Sequence, residues 1–137
     1  MITKEEIILK LRNYFKNHKE IVAVYLFGSY ATGKQTAKSD IDIAVQFKYE
    51  IERAKRYDLC LKYYVDLGGA LEIDFVDMNS ADFPLLNEIF KEGIVLVEND
   101  RDKRVQFKAL KMSQAMDLKY YEDLMAKGLM RRARNLI

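Results

Sequence analysis

Two unbroken apolar runs constrain the fold of this chain more than any other feature. They are Ile21–Phe27 and Ile41–Phe47, and both are rich in β-branched and aromatic residues. Glu20 and Gly28 bound the first run. Runs of this length and composition favour buried strands over short helices. The sequence therefore predicts two strands joined by a short polar segment.

Two carboxylates stand at the beginning of the second predicted strand. Asp40 and Asp42 flank Ile41. Alternate residues of a strand point to the same face, so both acidic side chains emerge together. Their negative charges repel each other, so this arrangement does not by itself stabilise the fold. A bound divalent cation would stabilise it, which indicates a metal site.

The Gly28-Ser29 pair ends the first predicted strand. Glycine permits positive φ and lets the backbone approach a ligand closely. A helical turn beginning at Ser29 would present amide donors to an anion. Taken alone, the pair also fits a simple hairpin turn, with Asp40 as a capping residue. Its conjunction with the two carboxylates favours a site for a nucleoside triphosphate and its metal.

This pattern resembles a known signature. Gly28-Ser29, ten intervening residues and Asp40-Ile41-Asp42 are similar to the motif of the DNA polymerase β-like nucleotidyltransferases, especially their minimal nucleotidyltransferase (MNT) branch. Residues 71–77 resemble the strand that carries the third carboxylate of that family, and residues 77–97 are similar to the MNT helix and final strand. The resemblance therefore covers about residues 1–100. Many MNT proteins have Arg at the position of Thr32. Lys34 and Lys38 are close enough to replace its phosphate contact.

The resemblance implies roles for individual residues. Asp40 and Asp42 would hold two Mg²⁺ ions, and Asp74 would hold the metal beside the attacking hydroxyl and help to take its proton. Ser29 and the backbone at Gly28 would bind the phosphates of ATP. Ser39 is a further candidate for nucleotide binding. A role in a turn or cap is an equal alternative for this residue.

The third predicted strand, over residues 71–76, carries two acids on one face. Glu72 therefore rivals Asp74 as the third ligand. Asp77 has the opposite parity, and we expect it to cap the following turn instead.

The remaining pattern predicts an α/β (α+β) fold in which helices pack on a small mixed sheet, the polymerase β-like nucleotidyltransferase fold. Thr3 and Glu6 form a capping-box pattern before the first helical stretch. Gly68-Gly69 ends the second helix. The predicted helices cover residues 3–19, 50–67 and 82–91, and a last short strand covers 94–97.

A long C-terminal helix is predicted from about residue 102. Residues 101–137 hold ten Lys or Arg and four Asp or Glu, whereas residues 1–100 carry a net charge of −4. We therefore predict an MNT domain over 1–100 and a basic helix over 101–137. The helix has an apolar stripe, for which packing on its own domain and packing on a partner are both open. The stripe comprises Val105, Ala109, Met112, Met116, Tyr120 and Leu124.

Composition excludes several kinds of site. Cys60 and His18 are each the only residue of their type, which argues against disulfides, cysteine zinc sites and histidine-rich metal chemistry. We expect Cys60 to be structural and His18 to be a contact at a helix end. The chain lacks an apolar run of about 20 residues and a signal-peptide pattern, so we expect a cytoplasmic protein without a membrane partner.

The function that the resemblance implies is that of small MNT antitoxins, which transfer AMP from ATP to a tyrosine of an α-helical HEPN toxin. Two alternatives remain open, a non-catalytic antitoxin that acts by binding and a transferase for a small-molecule hydroxyl. Nucleic-acid binding through the basic tail is a less favoured possibility.

Overall fold

A computed structural model describes residues 3–36, 39–68 and 71–136 of the 137-residue chain. It confirms the mixed α/β fold with a long C-terminal helix. The elements follow in the order α1 (Lys4–Phe15), β1 (Ile21–Phe27), α2 (Ser29–Thr32), β2 (Ile41–Phe47), α3 (Arg53–Leu67), β3 (Ile73–Asp77), α4 (Phe83–Glu92), β4 (Ile94–Glu98) and α5 (Arg101–Asn135).

The four strands form one sheet in the order β3-β2-β1-β4. Strand β1 pairs antiparallel with β2 and with β4, whereas β2 and β3 are parallel. Parallel neighbours need a crossover connection, and α3 supplies it. In the resulting register Asp42 lies opposite Asp74.

Helices cover both faces of the sheet, which explains why β1 is apolar and buried along its whole length. On one face, α1 and α3 contribute Phe15 and the fully buried Tyr63, whose hydroxyl donates to Glu20 at 2.7 Å. On the other face, α4 contributes Leu86 and Ile89 to a second buried cluster. We call these the α1/α3 face and the α4 face.

Several helix and strand ends differ from the predicted ones. Helix α1 has the expected capping box but ends at Phe15 rather than near residue 19, and His18 lies in the following turn with its ring 4.6 Å from that of Tyr14. Helix α3 begins at Arg53, because residues 48–51 form a turn in which the N–H of Ile51 donates to the carbonyl of Lys48. Strand β3 begins at residue 73 rather than 71.

Two glycines were predicted to end α3. Gly68 does follow the last helical residue, with φ of +66°. Gly69 lies outside the described residues.

Helix α5 packs on its own domain only near its beginning. Asp100 caps it by accepting from the N–H of Lys103 at 3.1 Å, and Phe107 packs against the second cluster. The predicted apolar stripe lies on the opposite side of the helix and is exposed, at 70% for Met116 and 63% for Tyr120. Of the two alternatives for that stripe, packing on its own domain is therefore wrong.

Within residues 3–36, 39–68 and 71–136, no helix is both long enough and apolar enough to cross a membrane.

Candidate active site

The carboxylates predicted to bind metal come together on the α4 face of the sheet. Asp42 shares its parity on β2 with Ala44, which belongs to the second cluster, whereas Ile41 and Ile43 belong to the core of the α1/α3 face. Asp74 is the register partner of Asp42 on β3. Parallel pairing of the two strands is therefore what joins acids that are distant in the sequence.

The electrostatics of Asp42 show that these charges are close. Burial is the largest cause of a raised pKa at this carboxyl, followed by the negative charges of Asp74 and Asp40. A raised pKa means that the charged form is disfavoured in the folded protein. A bound cation would reverse this effect by favouring the ionised form.

Gly28 brings the turn after β1 against Asp42. Its φ of +72° and ψ of −151° belong to a backbone region that residues other than glycine rarely adopt. A Cβ at this position would overlap the Oδ2 atom of Asp42. The turn can lie against the carboxylate only because this residue is glycine.

The predicted helical turn after Gly28 is present as α2, which packs against both β1 and β2. The N–H groups of Ala31 and Thr32 donate to the carbonyl of Gly28 at 3.1 and 3.2 Å, and Gly33 ends the turn in the left-handed conformation. Ser29 is half-buried at the beginning of this turn. The structure therefore places the phosphate-binding candidates beside the carboxylates.

Ser39 takes part in a local turn. Its hydroxyl accepts from the N–H of Thr36 at 2.8 Å, and its own N–H donates to the carbonyl of Thr36 at 3.1 Å. This is the turn role that the sequence offered as an alternative, and a nucleotide contact from Ser39 stays a prediction. Lys34 is exposed near α2, whereas Lys38 lies outside the described residues.

The geometry favours Asp74 over Glu72 as the third acid. Glu72 precedes β3, and its carbonyl accepts from the N–H of Ile41 at 2.8 Å. It is not among the charges that raise the pKa of Asp42. Asp77 turns away, as its parity predicts, and pairs with Arg56 at 2.7 Å. It also accepts from Ser80, and so holds the turn after β3.

The donor set fits Mg²⁺, which prefers carboxylate oxygens. Because Gly28 has no Cβ, the turn can pack against the Asp42 carboxylate without overlapping it. In the part of the chain that the structure describes, no three acidic, His or Cys side chains are already arranged to hold a metal ion. Binding would therefore require the three carboxylates to turn toward a common point.

Two features of the site were not predicted. Glu88, on an exposed turn of α4, also contributes negative charge at Asp42. A cavity of about 350 Å³ lies beside Asp74, between α3 and β3, with Tyr57 and Tyr64 in its lining. Both depend on how helices pack beside the sheet, which periodicity does not reveal.

Cys60 also lines this cavity, but it is not a nucleophile. Burial raises the pKa of its thiol to about 11, and the opposing effect of Arg56 is smaller. The thiol is therefore protonated at neutral pH, which agrees with the structural role predicted for it.

A glycine turn packed on paired strand carboxylates, within a mixed sheet of this order, defines a nucleotidyltransferase. The chain belongs to the "Polymerase beta, Nucleotidyltransferase" family, whose model matches residues 9–102. The matched segment contains every proposed site residue.

Individual relatives narrow the comparison. The chain is 34% identical to the protein adenylyltransferase MntA of Shewanella oneidensis, over 74% of this chain and 69% of that protein. It resembles a chain in a crystal structure of a toxin–antitoxin with AMP-PNP, with a TM-score of 0.64 and 29% identity over 94% of this chain and 99% of that one.

A third similar chain comes from a structure of the tri-AMPylated HEPN toxin of Shewanella oneidensis in complex with its MNT antitoxin. It has a TM-score of 0.57 and 26% identity, over 93% of this chain and 95% of that one. These comparisons confirm the predicted resemblance to the MNT branch.

Proposed function

We propose that this chain transfers AMP from ATP to a tyrosine hydroxyl of a HEPN toxin and so acts as its antitoxin. The observation that carries this proposal is the placement of Asp42 opposite Asp74 with the Gly28 turn packed against it. Relatives of the same family, including a protein adenylyltransferase and an MNT antitoxin, support the choice of AMP and of the partner.

The reaction needs a hydroxyl oxygen to attack the α-phosphorus of ATP. The new bond joins that oxygen to phosphorus, the bond to the bridging oxygen of pyrophosphate breaks, and the hydroxyl proton must be removed. Asp74 takes the proton in this proposal. It is an exposed carboxylate that lines the cavity between α3 and β3, and the acceptor tyrosine would approach it there.

Asp40, Asp42 and Asp74 would hold Mg²⁺, most simply as two ions. Bound there, the metal would supply charge stabilisation for the attacking oxygen and for the leaving pyrophosphate. The Gly28 backbone and Ser29 orient the β- and γ-phosphates, with Ser39 as an additional candidate. Without bound metal and nucleotide, the crowded negative charges oppose ionisation of Asp42.

The division into an MNT domain over 1–100 and a basic helix over 101–137 belongs to the same proposal. A transferase for small molecules needs a surface that encloses its acceptor, and residues 101–135 form one helix instead of a further domain. We place the activity in the cytoplasm, where a toxin and its antitoxin meet.

Isotopic labelling tests the reaction. The chain is incubated with Mg²⁺, the HEPN partner and ATP labelled in either the α- or the γ-phosphate. Label from the α-phosphate should appear on the partner, and label from the γ-phosphate should not. Transfer of γ-label would make the chain a kinase, and transfer of neither would leave a binding antitoxin.

The Asp40→Asn variant distinguishes neutralisation by AMP transfer from neutralisation by binding alone. If toxin neutralisation in cells depends on transfer, this variant should lose it while still binding the partner. Full neutralisation by the variant would instead show that binding is sufficient.

A further inference from the structure

The beginning of α5 is anchored to the body. Arg104 pairs with Glu98 at 2.8 Å and donates to the hydroxyl of Tyr25 at 3.3 Å. The ring of Phe107 lies 6.3 Å from that of Phe90 on α4. These contacts fix the direction in which the rest of the helix leaves the domain.

Beyond this anchor the helix stands free. Among the described residues after Lys111, all are exposed except Ala115 and Gly128, which are half-buried. Residues 112–135 span about 36 Å at 1.5 Å per residue. We call this segment the distal helix.

The distal helix continues the face that packs on the body. At 3.6 residues per turn, four large apolar side chains lie within about 60° of the direction of Phe107. We call them the Phe107 face. They are Leu118, Tyr121, Met125 and Leu129, and each is at least 60% exposed. Such a row of exposed apolar side chains marks an interaction surface.

Where the Phe107 face meets the body, there is a cavity of about 310 Å³. It lies between α5 and the end of β2, with Tyr49, 85% exposed, in its lining. Gln46 also lines it and is only 4% exposed, yet its Oε1 atom has no hydrogen-bond partner in the described structure. A buried acceptor without a donor is costly, so a donor from a bound partner fits here.

We propose that this cavity and the Phe107 face together form the docking surface for the HEPN partner, an inference that rests on the proposed function. Chains that match 93–94% of this one, and therefore most of α5, are found in toxin–antitoxin structures. An α-helical partner can lay an apolar helix along this face.

The basic C-terminal end of α5 indicates the charge of the partner surface. Residues 127–136 contain four Lys or Arg and no acid. The matching surface of the partner is therefore acidic beyond its apolar contact.

The chain offers a closely matched pair of double variants. Tyr121→Glu with Met125→Glu places two charges on the Phe107 face. Met116→Glu with Tyr120→Glu changes the same residue types at the same spacing, on the opposite side of the helix. All four side chains are 63–72% exposed, so neither double variant should disturb folding.

The experiment measures binding of the 137-residue chain to a purified HEPN toxin, by calorimetry without nucleotide. Melting temperature and ATP binding are controls for folding and for the active site. The Phe107-face pair should weaken binding more than about tenfold. The opposite-face pair should change it less than about threefold, and both should bind ATP normally.

Three results would overturn the inference: unchanged binding by the Phe107-face pair, equal loss from both pairs, or loss of self-association by the free chain in place of loss of HEPN binding. The last would assign the face to a second copy of this chain. Failure of the proposed function alone is distinct, because it would appear as a wild-type chain that binds the HEPN protein without transferring AMP. A wild-type chain that binds no HEPN protein would overturn both proposals.

Discussion

Gly28→Ala tests the link between the backbone turn and the carboxylate site. The φ and ψ values of Gly28 are nearly restricted to glycine, so a side chain there should cost about 1–3 kcal/mol of stability. The added Cβ would also overlap the Asp42 carboxylate. Either Asp42 or the turn must then move.

The expected effect on catalysis is larger than the effect on stability. A misplacement of about 1 Å at a reacting centre can reduce a rate about 10²-fold. We therefore expect Gly28→Ala to lose at least that factor in AMP transfer while remaining folded. Chemical unfolding gives the stability, and a single-turnover assay with α-labelled ATP gives the rate.

Gly33→Ala is the matched control. Gly33 has φ of +79°, so alanine there should cost about 1–2 kcal/mol, but nothing lies within 4 Å of the added Cβ. This control should lose similar stability and keep its transfer rate within a few-fold. Equal rates for the two variants would refute the reasoning that Gly28 is required to position Asp42.

Three further predictions follow from the same geometry. Asp42→Asn should lower transfer about 10²-fold or more and leave the fold as stable or more so, because the pKa of Asp42 is raised. As pH rises from the ordinary Asp pKa of about 3.9 through the raised pKa of Asp42, the wild type should lose stability relative to this variant. Parallel curves of unfolding free energy against pH for the two proteins would contradict this. Asp74→Ala should abolish transfer while Glu72→Ala keeps most of it, and the reverse would move the third ligand to Glu72. Truncation after Met112 should preserve melting and ATP binding but lose the partner, whereas truncation after Asn99 should also lower the melting temperature by exposing the second cluster.

The sequence predicted the parts of the site that strand parity determines. The apolar runs of β1 and β2 have sharp polar or glycine boundaries, so both strands were predicted at their observed limits. The same alternation correctly separated Asp77 from the acids of the α4 face. The ends of α1 and α3 were missed because turns at His18 and Ile51 interrupt stretches whose composition still suits a helix.

Features that depend on packing between distant elements were not predictable. Glu88 approaches Asp42 only because α4 packs over the sheet, and the cavity beside Asp74 exists only between α3 and β3. Periodicity also found an apolar stripe on α5 but could not reveal which side of the helix meets the body. That side is fixed by Phe107, which the predicted stripe did not include.

The most direct test of AMP transfer by this chain is the intact mass of the HEPN partner after incubation with the chain, ATP and Mg²⁺, followed by peptide mapping. We expect a mass increase of one or more AMP units, located on tyrosine, with the wild-type chain and none with Asp74→Ala. An unmodified partner in a complex that still neutralises the toxin would contradict it, as would AMP transfer that survives loss of Asp74.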